Sequence, residues 1–385
     1  MKIGINASFS RKASTGIGQV TVNFLKKLSQ QKTDDQFVLY LEEDLPKDIK
    51  LPKNFEKRIF LPFWKRDDLV RKILWEKYSL PKKVKKDGCN VFLSLYQCPT
   101  ITTIDVEHIM VVHDIVPKLF PEYLNNYRKR KYWELTEKAI RRADKILAVS
   151  SRTEKDLIQY LNISPDKISV NYIDCDEIYK KDVPQTHCNA SLQKYKLKPG
   201  YIYTGGGLEV RKNAEGVIRA YKHLLESNKT LHFTKELPKL VISGKLLPQL
   251  APLVTDVERL VRELNLSEHV QILDFVPQED LPALYKNAIM FVYPSHYEGF
   301  GIPVLEAMSV GTAVVTSKKS SLPEVGIDSV LYCIPDNVED IAMVMKNILK
   351  SSELRATLSR RGKERAQNFS WDKFSAKIFN IIKSL

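Results

Sequence analysis

The sequence has little of what would place it in a bilayer, a disulfide scaffold or a metal-centred fold. Its 385 residues include five cysteines, Cys89, Cys98, Cys175, Cys188 and Cys333, an odd number with no C-x-x-C pair. That spacing argues against a disulfide framework and against a structural zinc site. No apolar run approaches the roughly 20 residues that a spanning helix needs; even Ala288–Tyr293 is strand-sized. The opening Met-Lys-Ile-Gly-Ile-Asn turns polar within ten residues, without the apolar core of a signal peptide. A cytoplasmic protein is the expectation. A complete G-x-G-x-x-G is missing, because Gly16-Ile-Gly18 is followed by Thr21. Asp174-Cys-Asp176 matches a D-x-D metal motif only in spelling.

Basic residues, by contrast, are abundant. Lys and Arg number 60 against 46 Asp and Glu, a net charge of +14. Residues 57–86 alone hold 11 basic and 3 acidic side chains. Such a balance favours an anionic partner: nucleic acid, acidic headgroups or a phosphate-bearing substrate. The same stretch contains Phe63, Trp64, Trp75 and Tyr78. Two readings of it stand side by side. One is a solvated face with its aromatics packed inward. The other is a peripheral contact with an anionic membrane surface at the inner face of the membrane, or with a lipid-linked diphosphate. Arg128-Lys-Arg-Lys131 would extend that face.

With 43% apolar and 28% charged residues, the chain can bury two cores. Apolar strand-length runs alternate with helical periods. Lys2–Ala7 precedes a helix that starts at Gln19 and places Val20, Phe24, Leu25 and Leu28 on one face. Phe37–Leu41, Val91–Leu95, His108–Val112, Lys145–Val149 and Lys167–Asn171 read as further strands, and Tyr123–Arg142 as a helix. The polar stretch 184–199, with Pro184 and Pro199, reads as a linker. The alternation then restarts at Tyr201–Thr204 and runs to a last helix from Trp371. The expectation is an α/β protein of two Rossmann-like, doubly wound domains, 1–183 and 200–370, facing across a cleft. The segment 371–385 is expected to pack back on the first domain.

The most informative segment is Ser295-His-Tyr-Glu-Gly-Phe-Gly-Ile-Pro-Val-Leu-Glu306, which follows the strand Ile289–Tyr293. Pro303 suits a first helical turn, which puts Glu298 in the loop and Glu306 in that turn. Free N–H groups at a helix start bind phosphate or sugar hydroxyls. A carboxylate nearby accepts from a ribose diol. Arg211 and Lys212 offer paired cations, able to neutralise a leaving diphosphate where other enzymes use a metal. Gly16 and Gly18 would let a backbone approach a phosphate. Val111-Val-His-Asp-Ile115 puts His113 and Asp114 at the carboxyl end of a buried strand.

These segments together resemble the retaining glycosyltransferases of family 4, which have the GT-B fold. Glu298 and Glu306 match the E-x7-E signature. Gly206-Gly-Leu-Glu-Val-Arg-Lys-Asn213 looks like the family's G-x-x-x-x-R-K-N turn. Val241–Lys245, Phe275–Leu281, Ser320–Val325 and Pro335–Ala342 follow its downstream pattern. The likeness is dense over 200–345 and sparse before it. The resemblance implies a nucleotide-diphosphate sugar as donor, a glycan or lipid-linked glycan as acceptor, and no metal. It casts Glu298 as binder of the donor sugar and stabiliser of its developing positive charge, Glu306 as the ribose ligand, and Arg211, Lys212 and Gly206 as holders of the diphosphate. Phe300, Gly301 and Ile302 would orient the sugar through their backbone. Val276 would flank the base, His113 would touch the sugar near its sixth carbon, and Asp114 would lie near the acceptor. Asp274 stands where relatives carry Gly, so the base is held differently. The H-D pair and the S-S-L-P-E-V stretch most resemble mannosyl- and rhamnosyltransferases of surface polysaccharides. GDP-mannose is the first expectation, ahead of UDP-glucose and dTDP-rhamnose. A dinucleotide oxidoreductase would need the missing third glycine, and a nucleic-acid binder would leave E-x7-E unexplained. A sugar-nucleotide binder without chemistry remains open, since every residue named is also a binding group.

Overall fold

The computed structural model describes residues 1–47, 49–61, 68–230 and 237–385. The chain divides into two units: Met1–Asp174 with Ser370–Leu385, and Cys175–Phe369. The N-terminal unit is built on a seven-stranded parallel sheet of β1 (Lys2–Asn6), β2 (Gln36–Leu41), β3 (Phe55–Ile59), β4 (Val91–Ser94), β5 (Glu107–Val112), β6 (Lys145–Ala148) and β7 (Ile168–Val170), in the order β3-β2-β1-β4-β5-β6-β7. The C-terminal unit has six: β8 (Tyr201–Thr204), β9 (Leu240–Ser243), β10 (Val270–Leu273), β11 (Ala288–Tyr293), β12 (Ala313–Ser317) and β13 (Leu331–Cys333), in the order β10-β9-β8-β11-β12-β13. Every pairing between these strands is parallel. Helices cover both faces of such sheets, so central strands read as unbroken apolar runs. β11, Ala-Ile-Met-Phe-Val-Tyr, and β12, Ala-Val-Val-Thr-Ser, are of this kind. In both sheets the strand order reverses once, between β1 and β4 and between β8 and β11. The carboxyl ends at such a reversal are where doubly wound sheets bind ligands.

Three features differ from the sequence reading. First, 184–199 is not an open linker. It carries the helix Gln185–Lys194, and the C-terminal unit already begins at Cys175. That helix has only a short apolar face, Cys188 and Leu192, with Cys188 packed against Val183 and Ala283. It is held by polar groups that converge on Asp280: the Ser191 hydroxyl at 3.0 Å, the Lys194 ammonium at 2.6 Å and the Tyr195 hydroxyl at 2.7 Å. Second, the first long helix spans Gly16–Leu28, so Gly16 and Gly18 stand inside its first turn, not in the preceding loop. Thr15 caps it by accepting from the Gly18 N–H at 3.2 Å. A Cβ on Gly18 would lie 1.9 Å from the Lys12 carbonyl oxygen, so the short turn Ser8–Lys12 packs directly on this glycine. Third, Tyr123–Arg142 is a short turn, Pro121–Leu124, followed by a helix, Tyr127–Arg142, capped by Asn126.

The terminal helix Trp371–Lys383 belongs to the N-terminal unit. Phe374 meets Phe24 edge-on at 6.0 Å, Phe379 meets Phe37 at 6.2 Å, and the Asn171 amide donates to the Phe374 carbonyl at 3.0 Å. In the basic stretch, Trp75 is fully buried and donates its indole N–H to the Phe60 carbonyl, whereas Tyr78 is exposed. Phe63 and Trp64 lie outside the described residues. The five cysteines are buried and none forms a disulfide. No described helix is long and apolar enough to cross a membrane.

Candidate active site

In the C-terminal unit, β8 and β11 run side by side and release two loops at their carboxyl ends. The loop after β8 turns through Gly206 and Gly207 at φ of 92° and 113°. These angles favour glycine. Space favours it too, because a Cβ on Gly206 would approach Pro303 to 2.8 Å. The loop therefore lies against the start of the helix Ile302–Val310, which no side chain caps among the described residues. Gly301 and Ile302 form that start. Phe300 just before it is buried and meets Phe369 edge-on.

The two loops are stitched together. The Arg211 carbonyl accepts from the His296 N–H at 2.7 Å and the Ser295 hydroxyl at 2.9 Å. Asn213, itself in a left-handed conformation, donates its amide to the carbonyls of Pro294 and Pro335. From the next loop, the Ser320 hydroxyl accepts from the Glu298 N–H at 3.1 Å, and Ser321 donates to the Glu298 and Phe300 carbonyls. The backbone of Glu298 is thus clamped from two sides.

Its side chain is clamped as well. One carboxylate oxygen accepts from the Tyr293 hydroxyl at 2.7 Å, lies 3.1 Å from the Ser295 hydroxyl and sits 3.0 Å from the Arg211 guanidinium. Burial alone would raise this acid. The Arg211 and Lys212 charges and the Tyr293 bond outweigh it, and the group is held below the usual glutamate range. Arg211 also donates to the Tyr297 carbonyl at 2.8 Å. Glu209 pairs with Lys212 at 3.1 Å and lies 3.9 Å from Arg211. Burial opposes its ionisation too, and again the two cations prevail. Arg211 and Lys212 are thus balanced by Glu209 and Glu298 in a cluster of two cations and two carboxylates beside the Gly206 turn.

Glu306 does not stand in the first helical turn. With Ile302 as the first helical residue, it falls in the second. It is buried and accepts from the Tyr285 hydroxyl at 3.0 Å. Val276 is buried in the loop after β10 and the neighbouring Phe275 is exposed. Asp274 accepts from the Leu246 N–H at 3.0 Å and ties the ends of β10 and β9 together.

In the N-terminal unit, His113 and Asp114 follow β5. The His113 Nε2–H donates to the Leu95 carbonyl at 2.9 Å, which leaves Nδ1 as the acceptor nitrogen. Burial keeps the ring below its usual pKa and neutral. Asp114 accepts from the Val116 N–H at 3.0 Å. Gly18 has its N–H engaged by Thr15, and its packing on Lys12 is reason enough for a glycine there.

The sequence reading missed Tyr293, Ser295, Glu209, Ser320 and Ser321 as members of the site. Glu209 alone carried a signal, an acid three residues before Lys212. Among the described residues no group of three His, Cys, Asp or Glu side chains is arranged to hold a metal ion.

Two family profiles cover most of the chain. One described as "Glycosyl transferases group 1" matches residues 191–365, and one described as "Glycosyltransferase Family 4" matches residues 14–173. The chain is 35% identical over 278 residues to O-antigen chain mannosyltransferase B of Escherichia coli, across 72% of this chain and 70% of that protein. It is 26% identical over 355 residues to O-antigen chain mannosyltransferase RfbU of Salmonella typhimurium, across 89% and 90%. Among solved structures, HepE of Anabaena in complex with UDP and glucose superposes over all of both chains, with a TM-score of 0.74 at 18% identity. A sucrose-phosphate synthase of Thermosynechococcus elongatus superposes over 100% of this chain and 98% of that one, with a TM-score of 0.75 at 16% identity.

Proposed function

The chain belongs to glycosyltransferase family 4, with the GT-B fold, and from that premise we propose that it transfers mannose, with retention, from GDP-mannose to a hydroxyl of a glycan or lipid-linked glycan during synthesis of a surface polysaccharide. The observation that carries this reading is Glu298, a buried carboxylate kept charged by Arg211 at the carboxyl end of β11. The names of the two relatives above favour mannose and polysaccharide over the alternatives.

In this reading, bond breaking at the anomeric carbon leaves an oxocarbenium-like sugar and a growing charge on the diphosphate. Arg211 and Lys212 take up that negative charge, in place of a metal. Glu298 faces the positive side, and its fixed hydrogen bonds mean that it need not reorganise as charge develops. Backbone groups of Phe300, Gly301 and Ile302 orient the sugar, and Gly206 lets the loop approach the diphosphate. Glu306 holds the ribose and Val276 flanks the base. The acceptor Nδ1 of His113 takes a sugar hydroxyl, and Asp114 takes the acceptor hydroxyl. The acceptor attacks on the face from which the diphosphate leaves, and the diphosphate receives its proton.

The test is nucleoside-diphosphate release from GDP-mannose, UDP-glucose and dTDP-rhamnose by purified protein with EDTA throughout. GDP release from GDP-mannose alone is expected. Release from another donor instead would overturn the choice of donor, and release only after metal is restored would overturn metal independence. Tight donor binding with no release in the presence of a polysaccharide-derived acceptor pool would turn the reading to a binder without chemistry.

A further inference from the structure

The C-terminal unit has a second concavity, of about 250 Å³, at the opposite end of the helix Ile302–Val310 from the Gly206 loop. It is lined by Lys180, Lys181, Lys286 and Lys363, with Asp182 the one acid in its described lining. Two of the lysines are anchored. Lys180 donates to the Phe369 carbonyl at 2.9 Å and Lys286 to the Val183 carbonyl at 2.8 Å. The stem of Lys363 lies across the helix end, since a Cβ on Gly311 would come within 2.4 Å of its Cε. Lys181 and Lys363 make no hydrogen bond or ion pair with any described residue. Each ammonium has three donors, so those of Lys181 and Lys363 are available to a ligand.

The simplest account is that these lysines balance helix dipoles. Two helices, Ile302–Val310 and Ser352–Ala366, end beside the cavity. Each contributes about half a negative charge. With Asp182 that makes about two negative charges against four positive ones. The nearby Glu364 is occupied by Arg360 at 3.0 Å. An excess of about two positive charges remains, in a space below the roughly 300 Å³ at which drug-sized pockets begin. The balance and the size both fit a compact anion with more than one negative charge.

We propose that this lysine-lined cavity binds a phosphate-bearing anion of diphosphate size, either free or as the headgroup of a lipid. It is separate from the Arg211–Lys212 cluster: a nine-residue helix, on the order of 13 Å long, lies between them. The proposal does not depend on the transfer reaction.

The experiment is calorimetric titration of the full chain with inorganic diphosphate at low ionic strength, where exposed charges are least screened. Wild type, Lys181→Gln/Lys363→Gln and Arg211→Ala are compared. The double lysine variant is expected to lose one class of sites, or to weaken it at least tenfold, with GDP binding unchanged. Arg211→Ala is expected to keep that class. Diphosphate binding identical in wild type and the lysine double variant would overturn the proposal. A wild type with one site, lost in the lysine variant and kept in Arg211→Ala, would leave this site standing and count against the donor cluster. As a check without mutation, diphosphate should protect Lys181 and Lys363 from amine acylation; equal labelling with and without it would also overturn the proposal. Vesicles containing phosphatidic acid, whose phosphomonoester carries more than one negative charge at neutral pH, identify the source. Co-sedimentation that the double variant loses assigns a lipid headgroup, and diphosphate binding without co-sedimentation assigns a free anion.

Discussion

Two buried glutamates, one in each unit, meet opposite fates. Glu298 in the C-terminal unit accepts from one tyrosine and sits 3.0 Å from Arg211. Glu76 in the N-terminal unit lies in the one-turn π-helix Leu74–Ser79 and accepts from two tyrosines, Tyr96 at 2.5 Å and Tyr132 at 2.8 Å. Burial pushes both acids up. Glu298 nevertheless ends below its ordinary value and Glu76 above it. Hydrogen bonds do not explain this, because Glu76 has the more tyrosine donors. The cations do. Lys72 is 3.7 Å from Glu76 and spreads its charge over the rings of Phe9, Tyr96 and Tyr132, 4.8 to 5.2 Å away. Glu42 adds a like charge. Glu298 has a guanidinium in contact and a second cation behind it. In this pair, direct contact with a guanidinium is what keeps the buried carboxylate charged.

The largest change should come from removing that cation. Arg211→Ala leaves Glu298 buried without its partner, a situation that costs about 3–5 kcal/mol. Urea titration at neutral pH should register a loss of that order, and kcat should fall by about 10²–10³ as the diphosphate loses its donor. A stable Arg211→Ala protein with unchanged donor affinity would break both the comparison and the site assignment. Tyr293→Phe is the gentler cut. It removes one hydrogen bond to a charged group, worth about 1.5–3 kcal/mol, and leaves Arg211 in place. Because that bond helps hold Glu298 down, its loss should raise the carboxyl's pKa. The acid limb of the kcat/KM profile then moves to higher pH. The linkage has the same sign. A depressed glutamate contributes stability above its ordinary 4.5 that is lost as pH falls through the folded value, so Tyr293→Phe should flatten the acid dependence of stability. An unmoved acid limb would show that Tyr293 does not tune Glu298.

The difference between the two glutamates also marks what the sequence could reveal. The central strands were legible because burial on both faces writes them as apolar runs. Two of the edge strands were not: β3, Phe-Glu-Lys-Arg-Ile, is mostly charged, and β13, Leu-Tyr-Cys, is only three residues long. The helix Gln185–Lys194 was missed because its apolar face is short and because Asp280, 85 to 89 residues away in sequence, holds it through polar groups. In the site, Glu298, Glu306, Arg211 and Lys212 were legible from motif spacing. Tyr293 read only as the last apolar residue of a strand, and Ser320 and Ser321 only as part of a pattern. Their roles arise when β8, β11 and β12 are laid side by side. Glu76 gave no signal at all: an acid amid a basic run looks like surface charge until Tyr96 and Tyr132 close over it.

Glu76→Gln should have the smallest effect, and its sign separates the two acids most sharply. If Glu76 holds its proton at neutral pH, the amide is a close substitute. Its carbonyl accepts from Tyr132, and its NH₂ donates to the Tyr96 oxygen, whose hydrogen turns to the Ser8 hydroxyl 2.9 Å away. The change in stability at pH 6 should then stay below about 1 kcal/mol. The pH dependence runs opposite to that of Glu298. An acid whose folded pKa is raised stabilises fully below its ordinary 4.5, and that contribution is lost as pH rises through the folded value. Wild type should therefore lose stability relative to Glu76→Gln as pH increases from 4.5, and the variant should lack that slope. Urea midpoints of the two proteins between pH 4.5 and 9 measure it. A variant that is destabilised by several kcal/mol at all of these pH values would mean that Glu76 is ionised like Glu298, and that Lys72 holds its charge as effectively as Arg211 does.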